Sequence, residues 1–304
     1  QNEAILGHLD FINAKARWAH DTKATLPLLS KENHVSLRKA RHPLIDPRRG
    51  VTNDIKIGED YQAIIITGPN TGGKTITLKT LGIIQLMGQS GLFIPAEEGS
   101  TIGIFDNVFA DIGDEQSLEQ NLSTFSGHMD GVKAILEQIT SRSIVLLDEL
   151  GAGTDPKEGA ALAMAILDNI GSKGTMVVIT THYPELKVYG YDRAKTINAS
   201  MEFDQETLKP TYKLLLGIPG RSNGLEIAQR LGINPQVIDE ARTFVSDDSQ
   251  DLNNMIGDLV EQRKKAREES ERLAKLVAKN EKVQRDLDEK LTRFNEQRDK
   301  LYEQ

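Results

Sequence analysis

The chain has 304 residues, 38% hydrophobic and 27% charged, with a net charge of −8. It has no cysteine, which excludes disulfides and thiolate metal sites and fits a reducing, cytoplasmic interior. No apolar run reaches membrane-spanning length, so no membrane partner is expected, and the acidic balance leaves no global field to draw the chain onto nucleic acid.

Residues 1–34 read as the end of an upstream helix and a turn. Ile5, Leu9, Ile12, Ala16 and Ala19 share one face, and Pro27 stops continuation. A packing helix is expected there. Residues 35–216 read as the main domain. Val35 to Arg38 alternates as a strand, and Arg41-His42-Pro43-Leu44 is a turn. Val51 to Ile55 lies just before Gly68–Thr75, whose G-x-x-x-x-G-K-[ST] pattern marks a nucleotide phosphate site, so Val51 and His42 are candidate adenine neighbours; ordinary core and turn residues are an equal reading.

Ala63 to Thr67 is a short apolar, β-branched run, as in a buried parallel strand. Gly68-Pro69-Asn70-Thr71-Gly72-Gly73-Lys74-Thr75 follows and fits G-x-x-x-x-G-K-[ST]. Ile76 to Met87 then carries apolar residues at helical spacing. Strand, loop and helix together are what a phosphate cradle needs. Glycines let backbone N–H groups converge on one phosphate, and the helix N-terminus favours anions. Lys74 would reach the β- and γ-phosphates, and Thr75 would offer its hydroxyl to Mg²⁺.

Residues 88–131 are irregular and polar, with short strands expected at Gly91–Pro95 and Asn107–Ile112. A helix is expected from near Ser123 to Ile139. Its start, with Ser123 and Thr124, reads as an anion site or as a plain cap. Ile144 to Leu147 is an apolar strand ending in Asp148-Glu149. At such a strand end, Asp148 can hold Mg²⁺, through a water or through Thr75, and Glu149 can orient and deprotonate an attacking water. Glu158 to Ile170 reads as an alanine-rich helix. Met176 to Ile179 is another buried strand. It ends in Thr180-Thr181-His182-Tyr183, which puts His182 within reach of a γ-phosphate or the attacking water. These placements give an α/β fold with a mostly parallel sheet and a crevice site.

Ile197–Phe203 and Thr211–Leu216 alternate around a turn, as an edge hairpin does. Residues 217–245 give two short helices, with Gly232 ending the first and Asn234-Pro235 opening the second. Their apolar side chains favour packing, within or between chains, over DNA reading. Residues 246–304 are densely charged and free of proline. Steps of four and three from Leu252 through Ile256, Leu259, Leu273, Val277, Leu287, Leu291, Phe294 and Leu301 give a heptad, interrupted at Arg263, Ser270, Asn280 and Gln284. A weak coiled coil is expected, with a free charged arm as the alternative. Because the chain ends inside this pattern and starts at Gln1, we expect both ends to be cuts in a longer protein.

Gly68 to Thr75, Ser123-Thr124-Phe125, Asp148-Glu149-Leu-Gly-Ala-Gly-Thr154 and Thr181-His182-Tyr183-Pro-Glu-Leu186, in this order, resemble the MutS family of ABC-type P-loop ATPases. The match covers most of residues 1–245. The charged heptad tail, and Thr75 where mismatch-repair members usually have Ser, resemble the second bacterial branch, MutS-two. The triplet Phe294-Asn295-Glu296 lies in the heptad seam and does not read as a mismatch wedge.

The resemblance implies ATP and Mg²⁺ as cofactors and a homodimer with nucleotide between protomers. It implies Lys74, Glu149 and His182 as catalytic residues and Thr75 and Asp148 at the metal. Ser123 is implied to act in trans, on the partner's ATP. It further implies a helix-turn-helix dimerisation element at 217–245 and a coiled coil at 246–304. The implied output is an ATP-driven clamp that parts collided ribosomes and so touches rRNA. DNA is the rival partner, bound in branched form to suppress recombination. A structural dimerisation module with vestigial nucleotide binding is a third reading, against which the full set of site residues argues. The Smr domain of that branch, with its proposed nuclease activity, finds no counterpart in these residues.

Overall fold

The computed structural model describes residues 2–69, 72–113, 121–204, 207, 209–220 and 224–244, and seven helical positions between 269 and 284; for 121–124 it describes the backbone alone. Residues 1–250 form one compact unit and 251–304 a second.

The first unit is built on a six-stranded sheet, in the order β10-β9-β4-β8-β7-β6. Its strands are β4 (Ala63–Thr67), β6 (Val108–Asp111), β7 (Ile144–Leu147), β8 (Met176–Thr181), β9 (Thr196–Asp204) and β10 (Lys209–Leu216). All neighbours pair in parallel except β9 and β10, the antiparallel hairpin at one edge. The apolar runs of β4, β7 and β8 are buried on both faces, as a parallel sheet covered on both sides requires. Alternate residues serve different layers. Ile64, Ile66, Ile144, Leu146, Met176 and Val178 pack with Leu78, Leu81 and Ile84 of α2 (Lys74–Gln89). Ile65, Val145, Leu147, Val177 and Ile179 face the opposite way. There they meet α3 (Asn121–Gln138), α4 (Pro156–Ser172) and α5 (Pro184–Asp192). The chain is thus a mixed α/β fold whose parallel sheet suits a P-loop nucleotide-binding domain.

A second, small sheet was not foreseen. Its order is β1 (Leu28–Leu29), β5 (Thr101–Ile102), β2 (Val35–Ala40) and β3 (Asn53–Ile57). Val35, Leu37, Ile55 and Ile57 point from it into the layer that holds α2. The strand expected at Gly91–Pro95 is corrected to a single bridge, between Ile94 and Thr25. The chain turns there at Gly91, φ 73°, too sharply for a ladder to grow.

The N-terminal helix, α1 (Asn2–Thr22), has no buried residue, and Ile5, Leu6, Leu9, Phe11 and Ile12 are exposed. The packing expected of this face is therefore not made within the described residues. At the other end of the unit lie α6 (Gly224–Arg230) and α7 (Pro235–Phe244). Gly232 takes φ 94° between them, and the Asn234 side chain accepts from the Gln236 amide at 3.0 Å. Ile238 is buried, whereas Leu231, Val237 and Phe244 are exposed. In the second unit Glu269, Arg272, Leu273, Leu276, Val277, Asn280 and Gln284 are helical. The rest of the expected coiled coil lies outside the described residues. No helix among the described residues is long and apolar enough to cross a membrane.

Candidate active site

The site forms where β4, β7 and β8 end side by side. β4 delivers the chain to Gly68, φ 133°, and the loop closes on α2 through Gly73, φ 92°. Both are backbone states that side chains disfavour. The Gly72 amide donates to the Pro69 carbonyl at 3.0 Å. A Cβ on Gly72 would stand 3.1 Å from Met201, and one on Gly73 would stand 3.0 Å from the Tyr212 ring. The loop thus approaches its surroundings as closely as bare backbone allows. Asn70 and Thr71 lie outside the described residues. No side chain caps the first turn of α2.

Lys74 is 1% exposed. Its ammonium donates to the Gly68 carbonyl at 2.6 Å and lies 2.8 Å from His182 Nε2. Burial pushes its pKa down to about 8, against the opposing pull of Glu149 and Asp148. Next to it, the Thr75 hydroxyl donates to Asp148 Oδ2 at 2.7 Å. The other Asp148 oxygen accepts from the Thr180 hydroxyl, and Thr180 Oγ1 in turn accepts from the Glu149 amide at 2.9 Å. A hydroxyl and a carboxylate joined in this way are hard oxygen donors, fit for a divalent cation such as Mg²⁺.

Glu149 itself sits at φ 49°, a left-handed state uncommon for a residue with a side chain. Its Oε1 is 3.3 Å from His182 Nε2. That nitrogen therefore faces both the ammonium and the carboxylate. It cannot accept from one and donate to the other at once, so the imidazole either accepts from Lys74 or donates to Glu149.

Lys74, Thr75, Asp148, Glu149 and His182 are thus brought together. Ser123 stands in the first turn of α3, with its side chain outside the described residues. His42 is half-buried, and its pKa is lowered by burial and by the charge of Lys79, one turn along α2. Val51 is half-buried two residues before Asn53. Asn53 grips the outer hairpin: its Nδ2 donates to the Tyr212 carbonyl at 3.0 Å, and its Oδ1 accepts from the Leu214 amide at 2.8 Å.

Two residues of the site escaped the sequence reading. Thr180 bridges Asp148 and Glu149. A fully buried Thr-Thr pair at the end of an apolar strand demands polar partners, and that was the available signal. Tyr212 presents a half-exposed ring beside Gly73 from a bulged stretch of β10, at φ 61°. A bulge has no pattern that alternation reveals.

Behind the loop, the Thr67 hydroxyl accepts from the Gly220 amide at 2.6 Å and donates to the Ala199 carbonyl at 3.2 Å. The segment leading to α6 is thereby fixed against the start of the phosphate loop.

Residues 64–247 match the family described as MutS domain V. Relatives named Endonuclease MutS2 align along nearly the whole chain. That of Lactiplantibacillus plantarum is 65% identical over 302 residues, 99% of this chain and 38% of the relative. That of Ligilactobacillus salivarius is 62% identical over 303 residues, 100% of this chain and 38% of the relative. That of Enterococcus faecalis is 59% identical over 299 residues, again 38% of the relative. The chain therefore spans well under half the length of these relatives.

Proposed function

Since the chain belongs to the MutS family, whose domain V it carries, we propose that it binds and hydrolyses ATP as one half of a dimeric clamp. One observation carries the proposal: Lys74, His182 and Glu149 converge within hydrogen-bonding reach, beside the Thr75–Asp148 pair. In this reading the backbone of Gly68–Thr75 cradles the phosphates and Lys74 turns its ammonium from Gly68 and His182 to the γ-phosphate. Thr75 and Asp148 would hold Mg²⁺, which would draw charge from the phosphate oxygens. Glu149 accepts the proton of the attacking water, and His182 orients that water and the carboxylate. Tyr212 supplies a flat apolar surface for the base, with Val51 and His42 on the neighbouring segments. Ser123, at the start of α3, is proposed to reach the γ-phosphate of the partner's ATP. The exposed apolar residues of α6 and α7 then contribute to the dimer.

For the output of the cycle we propose that ATP-driven closing and opening, in the cytoplasm, parts collided ribosomes, as the likeness to the MutS-two branch implies. DNA is the second reading, favoured by the nucleic-acid cleavage in the relatives' name, Endonuclease MutS2. That endonuclease activity is assigned to no residue described here.

Glu149→Gln tests both levels. Turnover should fall at least about a hundredfold, the scale of a lost general base, while ATP binding persists and the dimer accumulates. Capture of the ATP-stalled variant should bring rRNA; DNA in its place selects the second reading. A variant that stays monomeric at saturating ATP removes the shared site.

A further inference from the structure

Tyr183 follows His182 at the end of β8, and its phenol reaches into the loop after β7. The hydroxyl donates to the Gly151 carbonyl at 2.7 Å, across 32 residues of sequence. Packing around that bond is closed. A Cβ on Gly159, in the first turn of α4, would stand 2.5 Å from the Tyr183 oxygen and 2.4 Å from the Gly151 carbonyl oxygen. A Cβ on Gly151 would stand 2.4 Å from the Gly159 carbonyl oxygen. Two glycines thus leave room for one phenol, and neither tolerates a side chain. The far side of the same loop is also held. A Cβ on Gly153 would stand 3.2 Å from Phe125 Cβ, on the helix whose first turn carries Ser123.

The loop so gripped begins two residues after Glu149. At φ 49°, Glu149 keeps its conformation only because its surroundings impose it. One constraint is the bond from its amide to Thr180. Others are the Ala152 amide on the Glu149 carbonyl at 3.0 Å and the Leu150 amide on the Thr180 carbonyl at 3.2 Å; further downstream, Tyr183 ties Gly151 to the segment that bears His182. The Tyr183 phenol is therefore one of the ties that set the 3.3 Å spacing between His182 and Glu149.

We propose that Tyr183 is a positioning residue for hydrolysis, helping to hold Glu149 against His182, and that Phe125 is a point at which α3 bears on the same loop. This rests on the assignment of Glu149 as the base. The Tyr183–Gly151 bond acts on the loop after Glu149 and not on the Thr75–Asp148 pair, so its loss should slow the chemical step and spare binding.

The test compares wild type, Tyr183→Phe, Tyr183→Leu, Phe125→Ala, the Tyr183→Phe/Phe125→Ala double variant and Glu149→Gln in the 304-residue chain. Tyr183→Phe keeps the ring and removes the bond. We expect kcat to fall about three- to tenfold, the effect of one uncharged hydrogen bond. ATP affinity and Mg²⁺ dependence should match wild type, and Tm should fall by no more than a few degrees. Tyr183→Leu should also lower Tm, because the ring is lost. The Tyr183→Phe loss should shrink in the Phe125→Ala background, since both act on one loop. Full kcat in Tyr183→Phe overturns the proposal, as does a loss that only tracks affinity or Tm. Wild-type turnover in Glu149→Gln is a different failure, that of the base assignment itself.

Discussion

The Thr75 hydroxyl donates a hydrogen bond to Asp148 Oδ2 at 2.7 Å, joining the first turn of α2 to the end of β7 across 73 residues of sequence. With Thr180 on the other oxygen, the carboxylate is aimed before any cation arrives. Asp148→Asn preserves the shape and removes the charge. It should weaken the Mg²⁺ dependence of ATP binding by about ten- to hundredfold, read from nucleotide titrations at stepped Mg²⁺. An unchanged dependence would take Asp148 out of the metal site.

Lys74 sets the pH behaviour. Its pKa in the fold is about 8, below the ordinary lysine value, because it is buried. Above pH 8 the free protein loses the ammonium that the phosphates need. ATP affinity should therefore decline above pH 8, approaching about tenfold per pH unit. Stability moves the other way. Between pH 8 and the unfolded lysine value near 10.5 the unfolded chain binds more protons, so this group's penalty fades as pH rises. Lys74→Met should lack both slopes. ATP titrations and melting curves between pH 7 and 10 check the pair of effects.

Tyr212 should matter to the base and not to the phosphates. Stacking on an aromatic ring is worth about 1–3 kcal/mol per base. Tyr212→Ala should cost about tenfold or more in ATP affinity and leave inhibition by inorganic tripolyphosphate untouched. Tyr212→Phe should bind like wild type. Equal losses for ATP and tripolyphosphate would mean that the loop itself had been deformed.

Gly220 predicts a sharp contrast with Gly224. A Cβ at 220 would stand 2.9 Å from the Thr67 backbone and 3.0 Å from Gly68 Cα, neither of which can swing aside. Gly220→Ala should destabilise by about 1–3 kcal/mol, as overpacking does, and weaken ATP binding with it. Gly224→Ala meets nothing within 4 Å and should leave Tm unchanged or raise it slightly. Differential melting of the two variants decides the point.

What could be read from the sequence followed the strength of the local physics. The strands before Gly68, Asp148 and His182 begin as apolar β-branched runs and end in a glycine loop, an acidic pair and a threonine pair with histidine, so their chemistry lay open. The small sheet did not. β1 and β5 have two residues each, shorter than any alternation can register. The expected strand at Gly91–Pro95 was an apolar run without a partner beyond Thr25. Tyr212 and Glu149 owe their positions to positive φ angles, which only the assembled fold imposes. The apolar faces of α1 and of α6–α7 were visible as patterns, but a pattern does not say what covers it.

The strand feeding the phosphate loop is paired over all five of its residues with β8 on one flank and β9 on the other. Such interior amides exchange with deuterium only when the whole sheet opens. The root of the loop cannot fray by itself. Heat should therefore divide the population into competent molecules and denatured ones, with little folded material left unable to take nucleotide.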